Sequence, residues 1–106
     1  MTDATITKLT SLFTQFAVKE LSINVSTTLI ESALRDALFT SRKLWQALEA
    51  QLITIPELAG ALTAHAQRAI LDYAGLVRQE GFEAKWDDLV YEVEKAIIVG
   101  MQSRPR

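Results

Sequence analysis

Cysteine is absent from these 106 residues, which excludes a disulfide framework, a thiolate nucleophile and any cysteine-held zinc or iron–sulfur centre. A cytoplasmic location is the expectation that follows. Histidine occurs once, as His65, so the paired Glu-x-x-His motifs of a carboxylate-bridged di-iron bundle cannot be assembled, nor can a His-Glu-x-x-His zinc helix. Glycine is scarce, with four residues, and none builds a phosphate-cradling loop or a Gly-x-Ser-x-Gly elbow. Long apolar runs are missing too. The longest, AIIVGM at 96–101, is far too short to span a bilayer, and the opening MTDATITKL lacks the basic and apolar regions of a signal peptide. No membrane association, cofactor, metal or small-molecule substrate is expected, and no motif points to an enzyme.

What remains is an ordinary globular composition, 49% hydrophobic and 23% charged, in a chain long enough for one domain with a core of its own. Charge of neither sign dominates. Residues 1–53 hold five basic and five acidic groups, and residues 54–106 hold six and eight. Nucleic acid could be held by such a protein only through a local basic patch.

Apolar residues recur at helical spacing throughout, and strand-like alternation is nearly absent. A first helix is expected from Ala4 to Leu21, with Ile6, Leu9, Phe13, Phe16 and Ala17 inward, although five threonines between Thr2 and Thr14 are mediocre helix formers. The stretch SINVSTT then interrupts it, because its Asn, Ser and Thr side chains compete for backbone hydrogen bonds. A capping box, Thr28-x-x-Glu31, opens a second helix whose inward stripe is Ile30, Leu34, Ala37, Leu38, Trp45, Leu48 and Leu52. A further box, Thr54-x-x-Glu57 with Pro56 in the first turn, opens the third. Its stripe runs through Leu58, Leu62, Ala66, Ala69, Ile70, Tyr73, Leu76 and Val77 to a C-terminal cap at Gly81. The fourth begins near Glu83, with acidic residues in its first turns and Trp86, Leu89, Val90, Val93, Ile97 and Met101 inward. Short connections favour antiparallel neighbours. The expected fold is therefore all-α, a single-domain antiparallel four-helix bundle over residues 1–106, with 1–3 and 102–106 flexible.

The words PELAGAL in the third helix read like the start of a helix-turn-helix DNA reader. Such a motif needs two short helices across a tight turn, often with a glycine, and here only Gly60 is placed for it. The apolar phase runs on from Leu58 to Val77 without a jump, which is the pattern of one continuous helix. A better account of the same stretch is that Gly60, Ala61, Ala64, Ala66, Ala69, Ala74 and Gly75 make this helix small-sided and central. Gly60, Ala64, Leu71 and Ala74, opposite the main stripe, then either meet another helix of the bundle or receive another subunit. His65, at the edge of the stripe, reads as a structural side chain.

Two further surfaces lack an obvious owner. Tyr91, Ile98 and Val99 fall off the inward stripe of the fourth helix, which favours a protein partner or self-association there. On the second helix Arg35, Phe39, Arg42 and Gln46 follow one another away from the core, with Lys43 beside them. An aromatic ring among cations can stack a base while the cations hold phosphates, though Glu31 and Asp36 could simply pair with Arg35. In length and all-helical make-up the chain resembles the small subunits of CRISPR surveillance complexes. That resemblance implies a nucleic-acid-backbone-contacting accessory subunit that lines up along a larger complex. The leading expectation remains a non-enzymatic helical interaction module, a small subunit of an assembly or a homodimer. Its partner would be another protein subunit or itself, with nucleic acid as the alternative.

Overall fold

The computed structural model describes residues 1–75 and 83–102, and every regular element among them is helical. In chain order these are α1 (Asp3–Leu21), α2 (Thr27–Arg35), a π-helical turn (Asp36–Thr40), α3 (Leu44–Glu49), α4 (Ile55–Ala74) and α5 (Glu83–Gln102). Thr2 starts α1, its hydroxyl accepting from the Thr5 N–H at 3.3 Å. Ser22 ends it in the left-handed region, φ 56°, and the Ile23 N–H reaches back to the Ala17 carbonyl at 2.9 Å to satisfy an otherwise orphaned acceptor. The first three residues, expected to be flexible, are engaged: Met1 packs on the core, Thr2 caps α1, and Asp3 pairs with Arg35.

The second expected helix is the main departure. Its N-cap is Ser26, whose hydroxyl takes the Thr28 N–H at 3.2 Å, so the Thr28–Glu31 box is not formed and Glu31 faces Arg35 instead. The helix then widens into the π turn, where the Ser41 N–H bonds the Asp36 carbonyl at 2.8 Å and the Ser41 hydroxyl bonds the Asp36 carboxylate. Lys43 follows in the left-handed conformation, φ 52°, and the chain restarts as α3. Leu52, expected in the core, lies beyond the end of α3 and is 77% exposed.

The Thr54–Glu57 capping box is present in both directions: Glu57 donates its N–H to the Thr54 hydroxyl at 3.3 Å, and Thr54 donates its own to the Glu57 carboxylate at 3.1 Å. α4 stops at Ala74 with Gly75 as its left-handed cap, φ 70°, a conformation that disfavours any residue carrying a Cβ. The expected extension to Gly81, with Leu76 and Val77 on its stripe, lies outside the described residues. So does the tail at 103–106. Tyr73 and Met101, both expected inside, are exposed near the ends of α4 and α5.

α1 packs against α2 and α5, and α4 packs against α2 and α5, so these four helices share one core. Phe13, Leu9 and Ile6 of α1, Ile30 and Leu34 of α2, Leu58, Leu62 and Ile70 of α4, and Val93 and Ile97 of α5 are fully buried. Sealing each such side chain from water contributes about 1.5–3 kcal/mol before ordering costs. At one end of the α1–α5 contact, Phe16 lies against Trp86, ring centroids 4.4 Å apart, beneath the Glu20–Lys85 ion pair at 2.6 Å. At the other end, a Cβ on Gly100 would lie 2.2 Å from the Thr5 Oγ1, so glycine there sets how closely the two helices approach.

Candidate interaction site

α5 is held on its inner side by Trp86, Leu89, Val93, Ala96 and Ile97, all buried. The opposite side therefore turns outward as a matter of helical geometry, and it carries Tyr91 at 65% exposure. Ile98 lies two turns further along the same side, half-buried, and Val99 flanks it, exposed. Glu94 and Lys95 occupy the turn between. Lys95 pairs with Glu92 at 3.2 Å, both well exposed, whereas Glu94 has no ionic partner among the described residues.

The second face of α4 is only partly available. Ala64 is exposed and Gly60 half-buried, with nothing within 4 Å of where a Gly60 Cβ would sit. Among the described residues no neighbouring helix uses that glycine for close approach. Leu71, expected on the same free face, is buried, which removes it from any surface. A single-helix projection places Leu71 opposite the stripe, but the folded chain covers it.

The basic stripe expected on the second helix is split. Arg35 lies between two carboxylates, Asp3 at 3.0 Å and Glu31 at 3.8 Å. Phe39 is in the π turn and partly exposed, while Arg42 and Lys43 are exposed beyond it. A π turn takes more residues per turn than an α-helix, and the left-handed Lys43 changes the chain direction, so the regular spacing from Arg35 to Gln46 no longer describes one face. The remaining cationic surface is two adjacent side chains beside one ring.

One feature escaped the sequence reading, an open groove between α1 and α2 lined by Thr7, Thr10, Ser11, Thr14, Thr27 and Thr28. The threonines that weaken α1 on propensity collect there. Thr10 donates its hydroxyl proton to the Ile6 carbonyl at 2.8 Å and Thr14 to the Thr10 carbonyl at 2.8 Å, so these hydroxyls bond their own helix. A small cavity bounded by Met1, Thr5, Trp45, Ile97 and Gly100 offers about 10 Å³, room for a water at most. His65 is half-buried on α4, and no group of three His, Asp or Glu side chains among the described residues could hold a metal ion. Nor is any helix among them long and apolar enough to cross a membrane.

No protein family, curated protein or solved structure matches the chain. The resemblance in size and helical make-up to CRISPR small subunits therefore carries no argument beyond the sequence.

Proposed function

We propose that the chain is a non-enzymatic protein–protein interaction module, an antiparallel four-helix bundle of α1, α2, α4 and α5 that associates through the outward side of α5. The observation that supports this most is Tyr91, a large side chain 65% exposed on a helix whose inner side is already filled. Ile98 and the 48% exposed Val99 continue the apolar surface along the helix. Burial of a preformed apolar helix side supplies affinity in such modules, and charges at its rim set register. The bundle's task is then to hold α5 straight and presented, which the Phe16–Trp86 contact and the Gly100–Thr5 approach do from its two ends.

The test is a benzophenone photo-cross-linker incorporated at position 91 in cells producing the chain, with position 8, exposed on α1, as control. Adducts of defined mass from position 91 and none from position 8 are expected. No adduct from position 91 would remove the reading.

A further inference from the structure

Among the described residues α3 alone is a helix bounded on both sides by left-handed residues other than glycine, Lys43 with φ 52° just before it and Gln51 with φ 60° just after its end. An L-residue is held in that region against its steric preference, so strain sits at both places where α3 joins the chain. From this we infer that α3 is a lid, hinged at Lys43 and Gln51 and latched by Trp45 over the end of the bundle where α1 begins and α5 ends.

The latch is one side chain. Trp45 is the only buried residue of α3, at 8% exposure, while Gln46 and Glu49 are exposed and Leu44 and Leu48 half-buried. Its indole lines the small cavity with Met1, Thr5, Ile97, Gly100 and Met101, and so reaches both α1 and α5. The body of α3 packs chiefly on the π turn and on α4. None of the largest fully buried side chains of the bundle belongs to α3, so the four long helices keep most of their core when it lifts.

The backbone bonds of the segment are local to it. Ala47 donates to the Lys43 carbonyl at 3.1 Å, Ala50 to Gln46 at 2.9 Å, Gln51 to Leu48 at 3.0 Å and Leu52 to Ala47 at 2.8 Å. A six-residue helix is too short to persist in water by itself, so release of Trp45 melts α3 and these four bonds are lost together. Opening also frees Lys43 and Gln51 from the left-handed region, which offsets part of the burial that Trp45 gives up. The segment therefore opens without unfolding the bundle, and in doing so uncovers the inward side of the last turn of α5 at Ile97, Gly100 and Met101.

The experiment is native-state amide hydrogen exchange on the purified chain, followed residue by residue by NMR. The amides of Ala47, Ala50, Gln51 and Leu52 should share one opening constant and exchange about a hundredfold faster than those of Leu62, Ala66 and Ile70 in α4. Lys43→Gly and Gln51→Gly each relieve a hinge in the closed state and should slow the four amides about threefold. Trp45→Ala should strip the four of protection, while α4 loses no more protection than the four had at the outset, because a lid already open has nothing further to lose. Four amides that exchange as slowly as those of α4 overturn the inference. So do hinge glycines that leave the four unchanged, and so does a Trp45→Ala chain in which α4 loses more protection than the lid ever had, the mark of an ordinary core tryptophan.

Discussion

α4 and α5 each run 20 residues without interruption, whereas residues 27–49 cover a similar length in three pieces, α2, the π turn and α3. Both regions carry capping side chains and apolar residues at helical spacing. They differ in how regularly the core holds them. In α4 every turn is pinned, by Leu58, Leu62, Ala66 and Ile70, and in α5 by Trp86, Leu89, Val93 and Ile97, all buried. In the broken segment Ile30, Leu34 and Leu38 are buried, but the stripe positions three and four residues after Leu38 are Ser41 and Arg42, both exposed, before Trp45 is buried again. A turn with nothing to bury is free to follow its local chemistry, and there Ser41 bonds back to Asp36. Continuity of a helix in this molecule is thus set turn by turn by the core.

The largest way to press that comparison is to empty one pinned turn and one loose one. Leu62→Ala, fully buried in α4, should lower unfolding free energy by about 3 kcal/mol in a denaturant titration, while Leu48→Ala, half-buried in α3, should lower it by about 1 kcal/mol. Equal losses would mean that α3 is as firmly tied to the core as α4. Next in size, Gly100→Ala forces a methyl group onto the Thr5 hydroxyl and should destabilise by about 2 kcal/mol, with much of the loss recovered when Thr5→Ala is added. Additive losses would show that the α1–α5 approach is not the source. The smallest effect has the opposite sign. Lys43→Gly removes a Cβ from a left-handed position and should raise stability by about 0.5–1 kcal/mol, visible as a higher Tm. No gain would indicate that the break after the π turn is held by the Lys43 side chain itself.

Much of the core could be read directly from spacing. Ile6, Leu9, Phe13 and Ala17, then Ile30, Leu34, Ala37 and Leu38, then Leu58, Leu62, Ala66 and Ile70 are all inside, because a 3.6-residue period states which side of a helix is apolar. The Thr54–Glu57 box was legible for a similar reason, since both partners lie within one turn. The misreadings sit where an element ends or where two elements meet. Leu52 continues the stripe on paper, but α3 has already stopped at Glu49. Leu71 faces away from the stripe on a single-helix projection, which cannot register cover from elsewhere in the chain. Gly100 gave no local signal, because its role is visible only against Thr5. In the candidate site, Tyr91, Ile98 and Val99 were found from spacing, while the partnering of Arg35 by Asp3 across two helices was not.

The ring contact between Phe16 and Trp86 joins the first helix to the last, and it fixes an order of events during synthesis. α1 leaves the ribosome well before α5 exists, and until then α2 is the one of its two packing partners that is present. Phe16 lacks its Trp86 cover over that interval, and the shared core closes only when residues 83–102 arrive. A chain assembled from mostly local contacts, of the kind that fold fast, thus waits for completion on the most sequence-distant of its helix pairings, α1 with α5.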